Sequence, residues 1–278
     1  MTAYLRARPL LACALTLVLA QIMLALFAPL AAPYGPLAQD IAARLKGPGG
    51  AHWLGTDQFG RDILSRLIFG ARASLMISGL AVGAALLAGG ALGLVSAFYR
   101  GWTERIIMRG ADILFAFPVM LLAIGIVAVL GANAGTAAIA IAAVYTPIFA
   151  RLLRGPALVI CESDYVLGAR AIGASDLRIM LTHILPNLLG VLLVQTSLLL
   201  SAAILVEASL SFLGLGTQPP TPSLGLMLSE GRNFLMLSPW SALFSGLAIL
   251  CLAFGLNLLG DALRDTLDPR LRPSADMK

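Results

Sequence analysis

The stretch "DYVLGARAIGASDLRIMLTHILPN", residues 164–187, is polar and partly basic, yet it lies between two strongly apolar runs. Its second half carries the marks of a helix start. Ser175 is a good N-cap, and Asp176 beside it complements the positive end of a helix. Leu177, Met180, Leu181, Ile184 and Leu185 then recur at i, i+3, i+4, i+7 and i+8, a complete apolar stripe. Pro186 is expected to break this helix before the next apolar run begins. In the first half, 163–172, the spacing puts Tyr165, Val166, Ala169 and Ile172 on one side and Arg170 on another, which predicts a second short helix. Gly173 follows it and supplies the positive φ that a β-carbon disfavours just past a helix end. The expected product is helix, glycine turn, helix. The stretch holds no paired carboxylates and no nucleophile beside a base, and His183 is its one histidine, so it reads as non-catalytic.

Outward from the hairpin, the chain reads as an integral membrane protein. Of its 278 residues, 59% are hydrophobic and 12% charged, against about 25% charged in a soluble domain. The apolar residues gather into runs of about 20, the length a helix needs to cross hydrocarbon. Six spans are predicted: Leu10–Ala31, Ser74–Tyr99, Ala111–Leu130, Thr136–Leu153, Leu188–Phe212 and Trp240–Leu259. The first is longer than the apolar core of a secretory signal and is read as a retained anchor. Cys13, Cys161 and Cys251 stand apart, without CxxC or neighbouring histidine, and read as small buried side chains; no metal or cofactor is indicated. The net charge of +5 is spread over the ends of apolar runs rather than gathered in one patch, which argues against nucleic acid.

Cations accumulate on the cytoplasmic side of membrane proteins. With the N-terminus inside, the inner segments hold Arg6, Arg8, Arg100, Arg105, Arg109, Arg151, Arg154, Arg170, Arg178, Arg264, Arg270, Arg272 and Lys278. The outer ones hold Arg44, Lys46, Arg61, Arg66, Arg72 and Arg232. This imbalance places both termini and the hairpin in the cytoplasm. The organisation expected is an anchor helix with an external amphipathic segment (1–73), a transmembrane core (74–260) and a cytoplasmic tail (261–278). In the first outer segment Ile63, Leu64, Leu67 and Ile68 share a face away from Asp62, Ser65 and Arg66, as in an interfacial helix. The second, Gly214 to Pro239, opens with "TQPPTPS", which is expected to end the fifth span and force a loop. Gly79 and Gly83, like Gly89 and Gly93, each share a helix face and permit close helix packing. Pro118 and Pro147 are expected to bend the third and fourth spans. Glu207 is the acid well inside a span, a pathway residue or a structural hydrogen-bonding group close enough to the outer interface for water to reach it. Asp112, beside Arg109, is read as a capping or pairing group.

The hairpin resembles the cytoplasmic coupling loop of ABC importer permeases, whose pattern is Glu-Ala-Ala, three residues, Gly, nine residues, then Ile-x-Leu-Pro. Gly173, Leu185 and Pro186 match in register; Leu167, Gly168 and Ala169 stand at the Glu-Ala-Ala positions and His183 at the Ile position, so Glu162 or Asp164 would have to supply any acid. The segments "HWLGTDQFGRDILSRLIFGARASL" (52–75), "DILFAFPVMLLAI" (112–124), "AILVEASLSFLGLGTQPPTPSLG" (203–225) and "LNLLGDALRDTLDPR" (256–270) are similar to the second, C-type permease of the dipeptide, oligopeptide and nickel branch. The resemblance implies an all-α polytopic membrane protein with a type I importer permease fold in the bacterial cytoplasmic membrane. It also implies a heterodimer with a homologous permease, two cytoplasmic ATPase subunits and an external substrate-binding protein.

No phosphate-binding G-x-x-x-x-G-K-[ST] occurs, and the lysines are Lys46 and Lys278, neither in a glycine loop. Nucleotide hydrolysis is therefore expected on a partner, with the chain itself not an enzyme. The coupling residues expected from the hairpin are Ala169, Arg170, Gly173, Ala174, Ser175, Asp176, Leu185 and Pro186. The outer loop around Ser229 and Arg232 is expected to meet the binding protein. Two other readings remain open: an ion-coupled secondary transporter, which would need coupling acids near the midplane, and a scaffold or channel subunit. A dipeptide or oligopeptide is the expected substrate, with nickel or glutathione as alternatives.

Overall fold

In the computed structural model, residues 9–267 are described. Arg6, Arg8, Arg270, Arg272 and Lys278 of the charge count lie outside them. The elements are α1 (Pro9–Leu26), α2 (Ala28–Ala31), α3 (Ile63–Tyr99), α4 (Gly101–Phe115), α5 (Val119–Leu130), α6 (Ala134–Cys161), α7 (Asp164–Ala171), α8 (Asp176–Phe212), α9 (Leu224–Arg232) and α10 (Trp240–Leu267). No strand is formed among the described residues. Four helices, α3, α6, α8 and α10, are long and apolar enough to cross a membrane; α4 and α5 make a fifth span if counted together, and α1 is a shorter apolar helix.

Several boundaries differ from the sequence expectation, each for a local reason. The first span is not one helix: Pro29 near the start of α2 cannot donate in a continuing ladder, and the chain breaks at Phe27. The segment 63–73 is not a separate interfacial helix but the opening turns of the 37-residue α3, whose N-cap Asp62 accepts from the Ser65 N–H at 2.8 Å. The divisions expected at 73/74 and 260/261 thus fall inside α3 and α10. The third span is broken where Pro118 was expected to bend it, and α4 meets α5 at 92°. α6 runs through Pro147 and Pro156 and extends beyond Leu153 to Cys161. α8 stops at Gly214 (φ +77) rather than at the later prolines: the Leu215 N–H bonds the Leu210 carbonyl at 2.8 Å and the Gly214 N–H bonds Ser211 at 3.1 Å.

α3 and α6 form the most extensively packed helix pair, and glycine lets them approach. A β-carbon on Gly89 would lie 2.2 Å from the Thr146 carbonyl oxygen, and one on Gly93 would lie 2.6 Å from that of Ala150. Gly79 and Gly83 face nothing within 4 Å, so that pair does not pack inside this subunit. Of the cysteines only Cys161 is buried; Cys13 and Cys251 are exposed on the outsides of α1 and α10, contrary to expectation. The largest core cluster runs from Ala81 and Val82 of α3 through Ile141, Phe149 and Leu153 of α6 to Ile179, Ile184 and Leu188 of α8.

The candidate coupling site

The hairpin forms as α7, a turn, and the first turns of α8. α7 stops in a glycine-dependent lock: Gly173 sits at φ +81, its N–H bonds the Arg170 carbonyl, and the Ala174 N–H reaches back to the Ala169 carbonyl, both at 3.1 Å. This paired pattern satisfies carbonyls a helix end leaves open, and it needs the left-handed region at Gly173. Nothing lies within 4 Å of where a β-carbon would be, so the requirement for glycine is one of backbone conformation, not space.

Pro186 does not break the second helix. Residues Ile179–Ile184 widen into π-helical turns, and the Leu185 N–H bonds the Met180 carbonyl five residues back. The wider turn absorbs the proline, so hairpin and membrane helix become one 37-residue rod, Asp176–Phe212. It also shifts the apolar phase. Ile179, Met180, Ile184 and Leu188 are buried, whereas Leu177 and Leu181 of the expected stripe face outward. In α7, Val166 and Ala169 are buried, but Tyr165 and Ile172 are not.

The buried hairpin residues belong to the same cluster as the α3–α6 core. Burying Val166, Ile179 and Ile184 contributes about 1.5–3 kcal/mol each, enough to hold the hairpin against the bundle. Polar contacts add to this at the edges. Arg170 stacks over Phe98 of α3 at 4.8 Å, Arg100 pairs with Glu162 at 2.9 Å, and Asn187 donates to the Tyr165 hydroxyl at 3.3 Å. Glu162 is thus occupied on its own subunit, while Asp164 opens α7. At the tip, Ile172 is 86% and Leu177 63% exposed, flanked by exposed Arg170, Ser175, Asp176 and Arg178. Of the expected coupling residues, Gly173 and Pro186 are also exposed, Ala174 and Leu185 half-buried, and Ala169 buried in the packing face. Ile172 and Leu177 were assigned to that packing face by their spacing; the structure makes them the apolar tip of the knob.

The opposite end of the bundle holds a cluster not foreseen from sequence. Asp57 accepts from Arg61 Nε at 2.6 Å and from Arg66 Nη1, while Glu230 of α9 accepts from Arg61 at 3.2 Å and from Arg66 at 3.1 Å. Arg66 is 1% exposed. Nearby, His52 Nδ1 lies 3.0 Å from Asp62, and the loop carrying Asp57 turns through Gly55 and Gly60, both at positive φ. The cluster pins the 33–62 segment and α9 to the start of α3. α9 itself occupies what read as a loop: Ser223 caps it by accepting from the Leu226 N–H, and Gly225 lets it lie against the Ala208 carbonyl of α8.

A family model described as "Binding-protein-dependent transport system inner membrane component" matches residues 85–273, which include the hairpin and the helices that hold it. The chain belongs to that family. The dipeptide transport system permease protein DppC of Alkalihalophilus pseudofirmus is 45% identical over 251 residues, 90% of this chain and 83% of the relative. The glutathione transport system permease protein GsiD of Pectobacterium atrosepticum is 46% identical over 227 residues, covering 82% and 75%. A chain of the MetNI methionine ABC transporter, solved in an inward-facing conformation, superposes with a TM-score of 0.60 at 15% identity, covering 74% of this chain and 98% of that one, so the fold is shared.

In this inner membrane component Glu207 is fully buried rather than water-reached. One carboxylate oxygen accepts from the Ser211 hydroxyl at 2.8 Å, and that hydroxyl accepts from the Thr217 N–H at 3.1 Å. Through Ser211, Glu207 links the end of α8 to the turn beyond it, while its other carboxylate oxygen is buried without a hydrogen-bond partner. Asp112 does pair, and its partner is Arg151 of α6.

Proposed function

We propose that the chain is a transmembrane permease subunit of an ATP-driven importer for dipeptides or oligopeptides, with its hairpin seated on a separate cytoplasmic ATPase. One observation carries this reading: the exposed Ile172–Leu177 knob and the helix-bundle core are joined by a single buried cluster and a single unbroken rod, so displacement at the knob must move α8. A well-packed interior transmits such displacement rather than absorbing it. In this scheme both termini and the hairpin are cytoplasmic. A homologous permease completes the pathway, two ATPase subunits take the two hairpins, and the α9 end, with Ser229 and Arg232, faces an external binding protein. The peptide assignment rests on relatives named for dipeptide and peptide transport; glutathione, itself a peptide, is the second reading because of the GsiD likeness.

Energetics separates this scheme from an ion-coupled carrier, for which Glu207 would be the coupling acid. Uptake of a labelled dipeptide should stop on ATP depletion and persist when an uncoupler collapses the proton gradient at held ATP. Glu207→Gln should retain most of that uptake, because a carboxamide oxygen still accepts from Ser211. Uptake that collapses with the gradient while ATP is held, together with loss in Glu207→Gln, would overturn the reading.

A further inference from the structure

α4 is amphipathic in an unusual place. Trp102, Arg105, Ile106, Arg109 and Ile113 lie within about 100° of one another around the helix and form a single exposed stripe, with Trp102 75% and Ile106 68% exposed. Beside the arginine flank the helix is fastened down: Glu104 pairs with Arg154 and Asp112 with Arg151, both on α6 about three turns before the hairpin begins, and Arg105 lines the same recess as these pairs. Among the described residues neither Arg105 nor Arg109 pairs with a carboxylate; Arg105 lies over the Trp102 ring at 5.3 Å.

The bend fixes what this stripe meets. α5 has 12 residues, about 18 Å of helix, less than the roughly 30 Å of hydrocarbon. α4 turns from it by 92°, so with α5 directed along the bilayer normal α4 runs close to the membrane plane. On the stripe the apolar Trp102, Ile106 and Ile113 lie to one flank and the two arginines to the other. This is the pattern of a helix half-sunk in a leaflet, with its aromatic ring at headgroup level and its cations on phosphate. We infer that the α4 stripe is a lipid-docking surface that takes anionic phospholipid headgroups through Arg105 and Arg109 on the hairpin side of the bilayer. The inference needs the membrane location common to the family and is independent of what the hairpin touches.

A photo-crosslinking amino acid at exposed Ile106 tests it, in the complete transporter reconstituted into vesicles of equal phosphatidylglycerol and phosphatidylcholine. Adducts should carry lipid mass, with phosphatidylglycerol exceeding phosphatidylcholine on the order of fivefold. Arg105→Gln with Arg109→Gln should bring that ratio to about one; because the ratio is read only from adducts formed, it does not depend on yield. Adducts mainly with another polypeptide would make the stripe a subunit interface and overturn the inference. A ratio near one in the unaltered chain, or one unchanged in the double variant, would overturn it equally.

Discussion

Gly173→Val is expected to abolish most transport while leaving the chain inserted in the membrane. Gly173 sits at φ +81, where a non-glycine residue costs about 1–2 kcal/mol and a β-branched one more. Since about 1.4 kcal/mol is tenfold in an equilibrium, strain of about 2 kcal/mol leaves only a few per cent of hairpins in the seated geometry. The empty space around the position makes the effect specific to the backbone. Gly173→Asn should therefore keep most activity, since asparagine tolerates the left-handed region, and Gly173→Ala should fall between. The readouts are dipeptide uptake and ATPase stimulation by the liganded binding protein, compared at matched membrane abundance. Wild-type uptake with normal stimulation in the valine variant would refute the role given to the turn.

Arg66→Ala should act on the opposite end of the molecule, and through stability. The two arginines and two acids of the cluster form a neutral quartet, buried except at Glu230, in which both Asp57 and Glu230 accept from Arg66. Removing one member leaves charge buried without compensation, a cost of about 3–5 kcal/mol. That is a large fraction of the 5–15 kcal/mol by which a folded chain survives. Abundance in the membrane and the midpoint of thermal unfolding in detergent should both drop sharply. Lys46→Ala, an exposed cation on the same 33–62 segment, should change stability by no more than about 0.5 kcal/mol. Equal behaviour of the two variants would show that the quartet does not hold the 33–62 segment.

How much of this was legible in the sequence follows the range of the interactions. The lipid-crossing runs announce themselves by composition, and the Gly173 turn is local: its conformation is set by two consecutive backbone hydrogen bonds. The placement of Ile172 was not legible because α7 ends just before it, and that of Leu177 was not because a 3.6-residue period assumes a regular helix and the π turns before Pro186 rephase the stripe it was read with. Gly79 and Gly89 look alike in sequence, yet one faces open space and the other a carbonyl oxygen; nothing local distinguishes them. Arg66 and Glu230 are 164 residues apart, and an apparently amphipathic stretch concealed that its polar face is also buried. Two positive-φ glycines around Asp57, Gly55 and Gly60, were the available sign of a tightly folded loop. Hydropathy located Glu207 within a span but gave no measure of how thoroughly α8 and its following turn enclose it.

The central claim, that the knob engages the nucleotide-hydrolysing partner, is tested most directly from its most exposed residue. With a photo-crosslinker at Ile172 in the assembled transporter in intact cells, the adduct should contain the ATPase subunit. An adduct with the external binding protein, or with lipid alone, would contradict it.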